Sequence, residues 1–369
     1  MPVKYRVAVI GRTGQGDYGH GLDTVWLKTD RAEVVAVADP NETGRLAAQK
    51  RLAARAAYAD YRDMLAKEKP QIVSVASRWP DLNRDVVIAC AGHGASIFLE
   101  KPVAPTLREA DEMVAACDRF HVKCAVAHQT RYSPRVKVVK DLIAAGRIGD
   151  VLELRGRGKE DARGGGEDLM VLGTHAFDLM RHLAGDAAWC FARVQQGDRP
   201  AGPGDVRRPG EPIGPVQGDA ITAHYGFGGP AVGSFGTHVA RPGSGAGGRY
   251  WLEVRGTKGV FQIGYGVFGP TYLCDDPTWM TGKSRAVWQE ITSQGIGRPE
   301  TLAAREVDNG NVFIVHDLMD AIERDRPPLC SLHDGRAALE MVLAVYESHR
   351  LGRPVDLPLG NRRHPLTPG

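Results

Sequence analysis

The chain has 369 residues, 43% of them hydrophobic and 25% charged, an ordinary composition for a globular protein large enough to build two cores. A net charge of +3 with no run of Lys or Arg gives no footprint for nucleic acid or an anionic membrane surface, and no apolar run reaches membrane length. The first strand pattern begins almost at once, so no signal peptide is expected. The six cysteines, at 90, 117, 124, 190, 274 and 330, show no metal-ligand spacing, so reduced thiols in a cytoplasmic protein are expected, and no metal.

The apolar run Val7–Ile10 reads as a strand buried on both faces. A glycine cluster follows, and it fits the dinucleotide fingerprint in two registers. Gly11-x-Thr13-x-x-Gly16 begins where the strand stops, which the geometry demands; Gly14-x-Gly16-x-x-Gly19 matches fully but starts three residues late. Backbone N–H groups of such a loop, and the helix expected near Gly19–Lys28, would receive phosphate. Gly11, Thr13, Gly14 and Gly16 are therefore cofactor-binding candidates.

A second strand, Val34–Ala38, ends in Asp39, where a ribose-binding carboxylate belongs. A carboxylate there accepts from an adenosine ribose diol and repels a 2′-phosphate, which points to NAD rather than NADP. The alternative is that Asp39 caps the helix beginning near Glu42. Helix patterns at Thr43–Arg55, Asp60–Lys67, Asp81–Ala91 and Leu107–Arg119 then alternate with strands at Gln71–Ala76, Ser96–Leu99 and Cys124–Ala127. This alternation predicts a doubly wound parallel sheet. Its strand ends carry Ser77–Trp79, Glu100–Pro102 and His128–Gln129, so Ser77 joins the cofactor candidates. Lys101 follows a buried strand, and low-dielectric surroundings there suit it to exchange a proton with a carbinol.

After Ser133 the pattern changes. A helix to Ala145, a strand at Val151–Arg157 and a glycine-rich loop at Gly158–Gly166 precede a helix, or turn plus helix, over Leu169–Ala184. Strands at about Ala188–Val194, Ala220–Phe227, Val232–His238, Tyr250–Gly256 and Val260–Ile263 predict a large, mainly antiparallel sheet. Gly197–Gly214 and Arg241–Gly248 read as mobile loops, and helices near Val312–Arg324 and Asp334–Leu351 close the chain. His175, Asp178 and His182 share one helical face, and His175 supported by Asp178 or a loop residue suits proton transfer.

Taken together, the glycine loop, Asp39, Glu100-Lys101-Pro102, the stretch from His128 to Pro134, Gly173-Thr174-His175-x-x-Asp178 and the segments 316–329 and 334–357 resemble the Gfo/Idh/MocA oxidoreductase family. The resemblance implies an α/β protein: an NAD(P)-binding Rossmann domain over residues 1–127, and a C-terminal α+β domain with an open sheet over 128–369 for substrate binding and oligomerisation. It implies an NAD-dependent oxidoreductase acting on a sugar or cyclic polyol. Lys101 matches the catalytic lysine, His175 the catalytic histidine, and Glu100 and Gln129 residues near the nicotinamide. Lys101, Arg131, Arg163 and Asp178 are expected to contact substrate, and the open sheet implies a homodimer or homotetramer. Two departures stand out: Val171 replaces an aspartate four residues before the histidine, and Ser77-Arg78-Trp79 replaces a usual Thr-Pro. The first leaves two other readings open, an NAD-dependent glycoside hydrolase or lyase using transient oxidation, and a non-enzymatic sugar-sensing regulator.

Overall fold

The structure, a computed structural model, describes residues 4–240, 248–303 and 310–367. The loop expected at Arg241–Gly248 lies outside the described residues except for Gly248. The chain forms two compact units. The first takes the described parts of Met1–Gln129, Gly210–Ile213 and Ala304–Arg336, and the second takes those of Thr130–Pro209, Gly214–Ala303 and Ala337–Gly369. The expected boundary followed Ala127, but the described residues 310–336 group with the N-terminal sheet.

In the first unit six parallel strands lie in the order β3-β2-β1-β4-β5-β6, with β1 at Tyr5–Ile10, β2 at Ala32–Ala38, β3 at Ala56–Tyr58, β4 at Ile72–Val75, β5 at Ser96–Leu99 and β6 at Cys124–Val126. The order reverses between β1 and β4, so the connections leaving their paired carboxyl ends run in opposite directions, the place where such sheets bind ligands. Val7, Val9, Ile72, Val73, Ile97 and Phe98 are fully buried, which explains the near-continuous apolar runs. Each buried valine contributes roughly 1.5–3 kcal/mol.

Capping sets the helix starts. Thr106 accepts from the Glu109 backbone N–H at 3.2 Å to begin helix Leu107–Arg119, and Asn41 accepts from that of Gly44 at 2.9 Å to begin Glu42–Leu52. Helix Glu42–Leu52 ends sooner than expected because Ala53 turns left-handed, and β3, three half-buried residues, follows in the stretch that the sequence left unassigned between two helices. A second correction concerns Gly19–Lys28. Gly19 and Gly21 adopt positive φ, so the chain runs through turns, and only Thr24–Lys28 coils, as a 3₁₀ turn. No α-helix follows the glycine loop directly; its Thr13 lies instead against Gly44 in the first turn of helix Glu42–Leu52. Helix Asn311–Glu323 packs on this 3₁₀ turn and on β5 and β6, held by Arg31 to Asp320 and Glu323, each at 2.8 Å.

In the second unit a large mixed sheet runs from Gly295–Ile296 at one edge to Val355–Asp356 at the other. Its centre is formed in order by Trp251–Gly256, Val151–Arg157, Val232–His238, Ala220–Phe227 and Ala187–Gln196. All neighbours there are antiparallel except Val151–Arg157 with Val232–His238. Strands at Thr271–Cys274, Gln289–Thr292, Gly295–Ile296 and Val355–Asp356 were not expected. The expected loop Gly197–Gly214 contains a short pairing strand, Arg199–Pro200, a 3₁₀ turn at Pro203–Asp205, and Val206–Arg207, which pairs with Val216–Gln217.

The pleat alternates on these strands. Ile221, Ala223, Tyr225 and Phe235 face inward, where Phe177 meets Tyr225 and Phe235 at centroid distances of 5.2 and 4.9 Å. The opposite face carries Phe191 and Val232, each 45% exposed, and an ion-paired set of Arg155, Glu153, Arg255 and Glu253. All six cysteines are buried thiols, and burial pushes that of Cys190 up to about 12.

Candidate functional site

The glycine loop leaves β1 at Gly11, whose N–H donates to Ala38 O at 3.0 Å. It then closes on itself: Arg12 N–H donates to Asp17 O at 3.1 Å, Asp17 N–H returns to Arg12 O at 3.0 Å, and Gly14 N–H reaches Asp17 Oδ1 at 2.9 Å. Gly14 and Gly16 supply the positive φ that this tight turn needs. Asp39 is fully buried beneath it. Its Oδ2 accepts from Thr13 N–H at 3.0 Å, Thr13 Oγ1 at 2.7 Å and the Tyr18 hydroxyl at 3.0 Å, and its Oδ1 from Asn41 N–H at 2.9 Å. The helix cap is Asn41, not Asp39, so Asp39 fastens the loop to the helix entrance.

Ser77 and Arg78 fix the loop from β4. The buried Ser77 hydroxyl donates to Gln15 O at 2.9 Å and accepts from Trp79 N–H at 3.2 Å, and Arg78 N–H donates to Gly16 O at 3.1 Å. Arg12 pairs with Asp81 at 2.6 Å. The Ser-Arg-Trp departure is thus the loop's other anchor.

At the end of β5, Glu100 and Lys101 are both buried. Glu100 Oε1 lies 3.2 Å from His20 Nδ1, while Oε2 is buried with no hydrogen-bond partner among the described residues. Lys101–Pro102 is a cis peptide, and the buried Asn83 amide holds the following turn by donating to Val103 O at 3.1 Å. Gln129 Nε2 donates to Asn311 Oδ1 at 3.4 Å, and Asn311 Nδ2 donates to His20 O at 2.9 Å. His20, Asn311 and Tyr18 were not singled out in the sequence. No local pattern marks Asn311, which comes from a helix at the far end of the chain; His20 and Tyr18 sit inside the glycine loop and carried a signal only by position. An orphaned buried carboxylate oxygen on the ligand-binding edge suits a ligand rich in hydroxyl or amide donors, so this edge fits a dinucleotide.

In the second unit, His175 is half-buried in the first turn of helix Gly173–Ala184, its N–H on Leu172 O at 3.1 Å. Tyr250 hydroxyl donates to the same carbonyl at 3.3 Å. One turn on, Asp178 is buried and gripped by Arg131: Nη2 to Oδ1 at 2.7 Å, Nε to Oδ2 at 3.0 Å, and Nη2 to Asp178 O at 3.1 Å. Asp178 was expected beside His175 and Arg131 against substrate; here they form a buried bidentate pair. Arg163 chelates Asp161 at 2.7 and 3.1 Å, holding that carboxylate down to about 2. Val171 ends helix Gly166–Val171. Asp168 in that helix points into the glycine-rich loop, accepting from Lys159 and Glu160 N–H, each at 3.2 Å, and from Thr237 Oγ1. Burial raises its proton affinity against those donors.

Comparison with known proteins agrees with this layout. The profile of an oxidoreductase family, its NAD-binding Rossmann fold, matches residues 5–128, and the profile of that family's C-terminal alpha/beta domain matches residues 140–357. A levoglucosan dehydrogenase of Pseudarthrobacter phenanthrenivorans is 27% identical over 364 residues, covering 88% of this chain and 89% of that protein. A D-apiose dehydrogenase of Paraburkholderia graminis is 32% identical over 183 residues, 47% of this chain and 48% of that one. For several curated relatives, the match spans less than half of their length. A solved levoglucosan dehydrogenase, in complex with NADH and levoglucosan, superposes with a TM-score of 0.76 at 21% identity over 97% of this chain and 100% of that one, a likeness of fold. Among the described residues no helix is long and apolar enough to cross a membrane.

Proposed function

The chain belongs to the Gfo/Idh/MocA oxidoreductase family, and from that premise we propose that it is an NAD-dependent oxidoreductase acting on a sugar or cyclic polyol. NAD, when bound, supplies the hydride acceptor for the carbinol carbon, and NADH the donor in reverse. Lys101 would take the hydroxyl proton as the C–H bond gives up its hydride, leaving a carbonyl, with His175 as the second proton-transfer group. Glu100 and Gln129 would orient the cofactor near Lys101, and Gly11, Thr13, Gly14, Gly16 and Ser77 would shape the loop against its phosphates. The first unit would thus bind the cofactor and the second the substrate. The buried Arg131–Asp178 pair would set the helix that carries His175, and Arg163 would face substrate from the glycine-rich loop.

The observation that carries this reading is the buried Glu100-Lys101 step at the carboxyl end of β5, with a carboxylate oxygen that has no donor among the described residues. Relatives named for levoglucosan and D-apiose support the substrate class. We expect purified protein given NAD and a panel of sugars and polyols to accumulate reduced nicotinamide with at least one of them. Calorimetric titration should show NAD binding more tightly than NADP, because a buried carboxylate at Asp39 disfavours a 2′-phosphate. No turnover on any panel member together with no NAD binding would sink the proposal.

Transient oxidation is a second reading, favoured by Val171 in place of the family's aspartate and by the commitment of Asp168 to loop amides. It predicts NAD that co-purifies and product formed without net reduction. The buried thiols fit a cytoplasmic protein. The open sheet face, with Phe191 and Val232 exposed, would join protomers. Light scattering at micromolar concentration should give a dimer or tetramer, and a monomer would refute that assembly.

A further inference from the structure

Asp39 holds, inside the fold, a hydrogen bond of the kind a ribose would bring. Of its donors, Thr13 N–H and Asn41 N–H are backbone, and Thr13 Oγ1 sits on a short, branched side chain of the loop. The Tyr18 hydroxyl, 3.0 Å from Oδ2, comes instead at the end of a long side chain that rotation can withdraw. The Tyr18 ring lies against Gly11: a Cβ on that glycine would stand 2.3 Å from ring atom Cε1, so the ring fills the space that the glycine at the end of β1 leaves bare. Arg51 stacks over the ring at 4.9 Å and is itself pinned to the buried Asp23 at 2.7 Å.

We propose that Tyr18 is a built-in occupant of the adenosine-ribose position: its hydroxyl takes on Asp39 the hydrogen bond of a ribose hydroxyl, and the cofactor's adenosine half binds by displacing it. The proposal rests on the reading that this edge binds NAD. Asp39 Oδ2 already has three donors, so it cannot receive a ribose hydroxyl at full strength until one leaves, and Tyr18 is the donor whose departure leaves the loop's backbone bonds intact. The ring also covers Gly11, so the same rotation would uncover the first fingerprint glycine and free Asp39 together. The observed affinity is then the intrinsic affinity reduced by the fraction of molecules in which Tyr18 is withdrawn. Tyr18 thereby sets the affinity for the adenosine end of the cofactor without touching the reacting carbon.

The test is Tyr18→Phe in the full chain, which keeps the ring and removes the competing donor. Calorimetry should show NAD and AMP binding about 10- to 150-fold more tightly than to the native protein, the range of one hydrogen bond to a charged acceptor. Nicotinamide mononucleotide should be unaffected, and the gain should vanish with 2′,3′-dideoxy-AMP, which has no hydroxyl to offer Asp39. Unchanged or weaker NAD and AMP binding by a Tyr18→Phe protein with a native thermal midpoint would overturn the proposal while leaving the NAD reading intact. Native protein that binds neither NAD nor AMP would overturn both. Should the variant not fold, a crystal structure of the native chain with AMP decides the matter: Tyr18 withdrawn from Asp39 supports the displacement, and Tyr18 still bonded to Asp39 refutes it.

Discussion

Lys101→Met should lower turnover by about 10²–10⁴-fold, the usual worth of a positioned proton-transfer group, while the fold and NAD affinity hold. Methionine keeps the length of the buried stem and removes only the ammonium, and the Asn83 amide bond to Val103 O that shapes the turn does not involve the replaced side chain. The loss should fall on kcat rather than on the apparent affinity for NAD, since the proton moves only in the chemical step. His175→Ala should also be slow, with partial rescue by added imidazole. Val171→Asp should restore a carboxylate one turn before His175 and change the pH–rate profile. Steady-state turnover of the three variants, on whichever sugar supports activity, is the measurement. Near-native turnover of Lys101→Met would make the lysine structural and end the proposed mechanism.

Asp178→Ala should destabilise the second unit by about 3–5 kcal/mol, because it removes the bidentate carboxylate partner of the buried Arg131 guanidinium. In a unit of this size that is a fall of roughly 10 °C in thermal midpoint, read by circular dichroism. Replacing both residues together, Arg131→Met with Asp178→Leu, should recover much of the loss, since no uncompensated charge is then buried. A midpoint for Asp178→Ala within about 2 °C of native would mean that solvent or a neighbour satisfies Arg131, and the pair would not be a brace. Activity lost by this variant alone would not identify a substrate contact; activity restored in the double variant would show that the pair acts through stability.

The first sheet was legible because parallel strands buried on both faces leave unmistakable apolar runs, and Ser96–Leu99 and Leu107–Arg119 fall where the pattern puts them. Strand Ala56–Tyr58 was hidden because three half-buried residues following an Ala/Arg-rich helix have no period of their own. The helix expected after the glycine loop failed because backbone turns at Gly19 and Gly21 override the pattern between them. Strand ends gave the positions of Lys101, Glu100 and Gln129. They could not give the partners: Asn311 reaches His20 from some 290 residues away, and the Arg131–Asp178 pair joins a 3₁₀ turn to a helix about 47 residues on. Side-chain pairings of that range are set by tertiary packing, which a single sequence does not display. Asp39 shows the same limit. Its place at the end of β2 was readable, but its capture by Thr13 and Tyr18 was not.

Helix Asn311–Glu323 belongs to the first unit yet is synthesised long after β6, with most of the second unit in between. On a ribosome moving at ~5–20 residues per second, β6 emerges roughly 10–40 s before that helix does. During that interval the 3₁₀ turn bearing Val25 and Trp26, and the flank of β5 and β6, lack the cover that Ile314, Leu318 and Met319 later provide. The Rossmann sheet can therefore assemble early but cannot finish early. A nascent chain halted near residue 300 should hold a chaperone-accessible apolar patch, and a protein truncated before Asn311 should lose solubility even though all six parallel strands are present.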